Sequence, residues 1–149
     1  MSKKKEQMRV MRRLLEEVWS NGNLSLLPEL LHEDYVGHGT PHDMTLRGVS
    51  QYEQRVAVYK SLFPEIRFVV EDQFASGDKV ATRWSAHLQE DSATARRDAD
   101  TGEPITVSGI SISRMEDGKI IEDWDTWDTL TLLESSSSPD VMEAITLSL

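Results

Sequence analysis

Apolar residues recur at three- and four-residue spacing near the start of the chain. Met8, Met11, Leu15 and Val18, with charges between them, predict an amphipathic helix over 5–20 that Asn21-Gly22 ends. Ser25 is placed to cap a second, shorter helix whose stripe is Leu27, Leu30 and Leu31, with Pro28 tolerated in its first turn. The brief segment Tyr35 to His38 then leads into a loop, punctuated by Gly39, Pro41 and Gly48, that runs to about Ser50 and can rim a pocket. Ser50 with Glu53 reads as a capping box, and Tyr52, Val56, Tyr59 and Phe63 carry a third helix to Pro64.

From Ile66 onward the pattern is that of β-strands. Runs of β-formers over 66–74, 80–89, 105–114 and 120–127 predict long strands, with turns at Ser76-Gly77-Asp78 and Glu116-Asp117-Gly118-Lys119. Helices followed by hairpin-linked strands imply an α+β fold in which three N-terminal helices pack on one antiparallel sheet. In the second strand Val80, Thr82, Trp84, Ala86 and Leu88 share the inward face, and Arg83, Ser85 and His87 look outward. Low-complexity Ser135 to Pro139 reads as a flexible link to an amphipathic segment over 141–149, so the expected organisation is one domain over 1–134 and a tail over 135–149. That tail is placed to cover a neighbouring subunit or to end the chain weakly ordered.

Composition removes several classes of function. A net charge of -10, with Lys3 to Lys5 as the sole basic cluster, would repel a phosphate backbone and argues against nucleic acid as a partner. The absence of cysteine excludes disulfides, thiolate catalysis and sulfur-ligated metals. No segment approaches the roughly 20 apolar residues of a membrane span, and no apolar stretch follows the first lysines, so a cytoplasmic location is the simplest expectation. There is no Gly-rich phosphate loop and no Gly-x-Ser-x-Gly motif to support nucleotide-dependent or acyl-enzyme chemistry.

The segment from Asp100-Thr-Gly to Asp128 holds a strand ending near Arg114, an Asp117-Gly-Lys-Ile hairpin and the run Glu122-Asp-Trp-Asp-Thr-Trp-Asp128, followed by Leu130, Leu132 and Leu133. It resembles the SnoaL-like polyketide cyclases and related predicted ester cyclases. Tyr35-Val-Gly-His38 is similar to the same family's Tyr-x-x-His segment, so the resemblance covers roughly residues 6 to 134. It implies the cone-shaped α+β barrel shared with nuclear transport factor 2 and ketosteroid isomerase, a pocket for a hydrophobic small molecule, and a homodimer through the outer sheet face. It also implies ring closure by intramolecular aldol condensation with no metal or organic cofactor: a base removes a carbon-bound proton and a donor stabilises the enolate oxygen.

Several residues are placed to do this. Strand alternation puts Glu122, Trp124, Thr126 and Asp128 on one face of the last strand and Asp123, Asp125 and Trp127 on the other. With Trp124 expected inward, Asp128 is the favoured acid, though its position before a Leu-rich stretch equally suits a helix cap. Asp125 takes its place if a bulge reverses the parity near Trp124. Glu122 and Asp123 read as solvated or paired charges. His38, at the end of a short strand, is the candidate donor or a histidine bonded to loop backbone; His32, His38 and His42 form only a weak metal-ligand pattern. Trp84, Trp124, Tyr52, Tyr59 and Phe63 are the candidate walls for a flat ligand, although aromatics at such spacing more often form plain core. Three functions stay open: a cofactor-independent cyclase or isomerase, a non-catalytic binding domain, and a small epoxide or ester hydrolase.

Overall fold

In the computed structural model of the chain, residues 2–39, 44–89 and 105–128 are described. Helix α1 (Lys3–Arg13) starts where the Ser2 side chain accepts the Lys5 N–H at 3.2 Å, and it continues as a π-helical segment, Leu14–Ser20. The widened turn brings the adjacent Leu14 and Leu15 into the core together with Met11 and Val18. A 3-10 turn (Leu24–Leu26) runs into the single-turn α2 (Leu27–Leu30); Ser25 bonds Asn23 rather than capping it. Helix α3 (Gly48–Leu62) begins two residues before the expected capping box, and the Gln51 side chain accepts the Arg47 N–H at 2.8 Å.

Six strands follow the order β2-β1-β6-β5-β4-β3. They are β1 (Leu31–Gly39), β2 (Met44–Arg47), β3 (Glu65–Ser76), β4 (Lys79–Gln89), β5 (Thr106–Glu116) and β6 (Lys119–Trp127). Four of these are the predicted long strands. The other two correct the reading of the N-terminal half: β1 is longer than the segment expected there, and part of the supposed rim loop is β2. The sheet is mixed rather than purely antiparallel, because β1 runs parallel to β6. Among the described residues its edges are β2 and β3, so the sheet is open there and not closed into a barrel.

The helices cover one face of the sheet. Val56, Tyr59, Leu30 and Val18 from the helices meet Val80, Trp84, Ala86 and Leu88 of β4 in one buried core. Polar ties fix the packing: Lys60 Nζ donates to the Ser20 carbonyl at 2.8 Å, and the Phe68 N–H donates to Ser20 Oγ at 2.8 Å. The β4 alternation matches expectation, with Thr82 buried beside the four apolar residues. Ser85, expected outward, is nonetheless only 6% exposed, because on that face it bonds Glu71 and His87.

Two irregularities decide the inner face. In the β5–β6 ladder Met115 pairs with Ile120 but Arg114 with Glu122, so Ile121 is an extra residue on β6. A one-residue bulge exchanges the faces of everything beyond it. The second is the inverted pattern of β5, where small residues (Gly109, Ser111, Ser113) point inward while Ile110 and Ile112 stay exposed at 52% and 41%. An inner face built of small residues leaves room above the sheet. Residues 90–104 and the 135–149 tail lie outside the described residues, as do Leu130, Leu132 and Leu133.

Candidate active site

Between the helices and the inner face of the sheet is a narrow cavity of about 80 Å³. Aromatic rings from both layers wall it. Tyr52, Tyr59 and Phe63 come from α3 or its end, Trp84 from β4, Trp127 from β6 and Trp19 from the π-helical segment. Trp19 Nε1 donates to the Tyr52 hydroxyl at 2.7 Å, which fixes two of these rings to each other. The expected walls Tyr52, Tyr59, Phe63 and Trp84 therefore do line the cavity. Trp124 does not: it is 39% exposed on the outer face, where its ring stacks on His38 at 5.6 Å.

The bulge at Ile121 is the reason. It turns Asp123, Asp125 and Trp127 inward and sends Glu122, Trp124, Thr126 and Asp128 outward. The expectation for Asp128 is thus corrected, since that residue is exposed; its backbone N–H bonds the Ser108 carbonyl at 2.9 Å. The cap reading of Asp128 concerns a segment outside the described residues. Asp123, expected to be a solvated or paired charge, is instead 1% exposed.

His38, the expected donor, has a partner on the outer face. It borders the cavity, but its Nε2 bonds Glu122 Oε2 at 2.7 Å, and Arg114 grips the other carboxylate oxygen through Nε and Nη2 at 3.2 and 3.0 Å. The His38 bond, helped by the Arg114 bonds and charge, holds Glu122 below the usual carboxylate range. This cluster belongs to the outer face. His32 stands apart from it, 3.9–4.0 Å from Asp34, Glu116 and Asp117, and no group of three or more metal-ligating side chains occurs among the described residues.

The polar end of the cavity is made by two acids of β6 and the strands beside it. Asp125 pairs across with Ser111, and Asp123 with Ser113. Burial raises the Asp125 carboxyl to about 6; the Ser111 hydroxyl, Arg55 and His38 all pull it the other way. Asp123 is pushed well above the ordinary range, first by burial and then by the negative charge of Asp125, against weaker opposing bonds from Ser113 and Tyr35. The Tyr35 hydroxyl bonds Asp123 Oδ2 at 3.0 Å.

Two glycines make this arrangement possible. A Cβ on Gly109 would overlap the Trp84 indole, which lies across that position and donates its Nε1–H to Ser111 Oγ at 3.0 Å. A Cβ on Gly37 would come within 2.5 Å of the Tyr35 hydroxyl. Each glycine seats an aromatic ring whose polar end then reaches the acids or their neighbours. Reading the sequence alone missed Tyr35, Arg55, Ser111 and Trp19. Glycines inside strands, at 37 and 109, were the available signal for such close approach.

A half-buried carboxyl poised near neutrality at the end of an apolar cavity can accept a proton from a weakly acidic carbon, or hold a polar group of a ligand. The family model for SnoaL-like polyketide cyclases matches residues 9–135. Among solved structures, a protein of Jannaschia sp. CCS1 named as a SnoaL-like polyketide cyclase superposes with a TM-score of 0.75 at 20% identity, over 93% of this chain and 97% of that one. IdmH of Streptomyces antibioticus, named as a polyketide cyclase, gives 0.70 at 26% identity over 87% and 96%. A polyketide cyclase by name from Bacillus cereus ATCC 10987 gives 0.72 at 26% identity over 87% and 79%. No curated protein matches the chain.

Proposed function

Because this chain belongs to the SnoaL-like polyketide cyclase family, we propose that it closes or isomerises a hydrophobic carbonyl compound of polyketide type, with Asp125 as the base. The observation that carries this reading is the Asp125 carboxyl itself. It faces an apolar, aromatic-walled cavity and burial holds it at about 6, so near neutral pH it is ionised yet basic enough to take a carbon-bound proton. The electron pair left behind moves onto the adjacent carbonyl oxygen, and the resulting enolate attacks a second carbonyl of the same molecule. Asp125 then returns its proton to the alkoxide formed.

The test is incubation of the purified protein with aromatic polyketide esters, followed by mass and chromatographic shift of the ring-closed product. Turnover should rise with pH through about 6, because the base must be ionised, and then level off. Asp125→Asn should lower it by about a hundredfold or more, in line with loss of a general base. Full turnover in that variant rejects the assignment.

A second reading is favoured by the cavity's small size: a domain that holds a single-ring ligand without transforming it. Tight binding of such a ligand with no product in the same assay would support it. A hydrolase has less support, because it requires an imidazole sharing a water with the acid, and His38 Nε2 is engaged by Glu122. We further propose that a second copy of the chain docks on the outer sheet face, where Phe74, Ile110, Val69, Ile112 and Trp124 are all exposed.

A further inference from the structure

The Tyr35–Asp123 pair shares the cavity with Asp125 but has no part in the proton transfer described above. The Tyr35 hydroxyl stands 3.0 Å from Asp123 Oδ2, whereas the buried Oδ1 has no hydrogen-bond partner. An ionised carboxylate offers about four acceptor sites, and burying one with an oxygen left unpartnered would cost several kcal/mol. The groups facing it offer little relief. They are Tyr35 from β1, Tyr52 and Arg55 from α3, Ser113 from β5 and the like-charged Asp125 on its own strand. Ser113 lies 3.4 Å from the Met11 sulfur, and the influence of Arg55 falls on Asp125 and Tyr52. A neutral carboxylic acid suits this setting better than an anion.

That neutrality has a consequence for the tyrosine. A separation of 3.0 Å between Oη and Oδ2 serves either direction of donation. A neutral carboxyl is a stronger donor than a phenol, so it can give its proton to the shared bond and leave the phenolic O–H free to turn into the cavity that Tyr35 lines. Gly37 holds the ring in place for this, because it alone leaves space for the hydroxyl.

We propose that Tyr35 donates a hydrogen bond to the oxygen of the bound enolate, and that Asp123 is the neutral acid that positions it for that purpose. This rests on the reading of Asp125 as the base. Once Asp125 has taken the carbon-bound proton, the negative charge sits on the ligand oxygen, which accepts the Tyr35 bond; no proton leaves Tyr35, and no further reactant is needed. The tyrosine thereby fills the donor role expected of His38.

The experiment uses the full chain carrying Asp125→Asn, which imitates the uncharged base present when the enolate exists, and 4-nitrophenolate as a single-ring oxyanion read by its absorbance. Adding Tyr35→Phe should weaken phenolate binding by about tenfold, the worth of one charge-assisted bond. Adding Asp123→Asn should cost under threefold, because its amide N–H still donates to the phenol oxygen, and adding Asp123→Leu should match Tyr35→Phe. Should Asp123→Leu fail to fold by circular dichroism, the other two variants decide the matter. In the unsubstituted chain, carboxyl carbon resonances should show Asp123 still protonated while Asp125 titrates. A loss under threefold in Tyr35→Phe, no phenolate binding to Asp125→Asn, or an ionised Asp123 at pH 7 overturns the proposal. None of these readouts uses turnover, so failure of the base assignment stays separate.

Discussion

Asp125 carries its charge at an energetic cost, because burial lifts its carboxyl from an ordinary value of about 3.9 to about 6. A folded-state value above the unfolded one means that the folded chain binds more protons across that window. Its stabilising share is therefore complete below about pH 4 and is lost as pH rises through about 6. Asp123 is shifted in the same direction. Asp125→Asn should consequently raise stability by about 1–3 kcal/mol at pH 8 and by little at pH 4. Urea denaturation at the two pH values checks this, and an equal effect at both would mean that Asp125 is not held at a raised value. The loss of activity and gain of stability expected from one substitution are the two faces of a functional residue kept in an unfavourable setting.

At the scale of elements, the site depends on how β5 and β6 are built. Small residues on the inner face of β5 let Trp84 lie flat across Gly109 and reach Ser111, which in turn acts on Asp125. Gly109→Ala should force the indole out of its seat and cost about 1–3 kcal/mol of stability, as overpacking in cores does. Trp84→Phe, with a smaller ring, should recover part of that loss in the double variant. A double-mutant cycle by thermal or chemical denaturation measures the coupling; additive effects would show that the two positions do not meet. The bulge at Ile121 matters as much. Without it, strict alternation from the buried Ile120 would present Trp124 and Asp128 to the cavity, as their shared face in the sequence implies.

For the whole molecule, the same inverted strand that makes room inside places isoleucines outside. Ile110 and Ile112 of β5, Trp124 of β6, and Val69 and Phe74 of β3 are all exposed on the outer face, the surface proposed above to take a second copy. Sedimentation at micromolar concentration should give a dimer, and Ile112→Glu together with Trp124→Glu should give a folded monomer. A monomeric unsubstituted chain would reject the outer-face contact. Among the described residues no helix is long and apolar enough to cross a membrane.

The local pattern alone determined much of this. Three- and four-residue spacing specified the first and third helices, since an amphipathic stripe is written in the residues that form it, and Pro64 marked where the third helix had to stop. Strand-forming runs and Asp-Gly or Gly-Asp turns specified β3 to β6, and the walls Tyr52, Tyr59, Phe63 and Trp84 followed from which face of each element is apolar. What only the tertiary structure decided is which acids face the cavity. A bulge is a property of two paired strands, and the mismatch between Arg114–Glu122 and Met115–Ile120 exists only once β5 and β6 are in register. The parallel partnership of β1 with β6 is likewise nonlocal; it brings Gly37 beside Asp123 and Tyr35 within bonding distance of it, a contact between residues 88 positions apart.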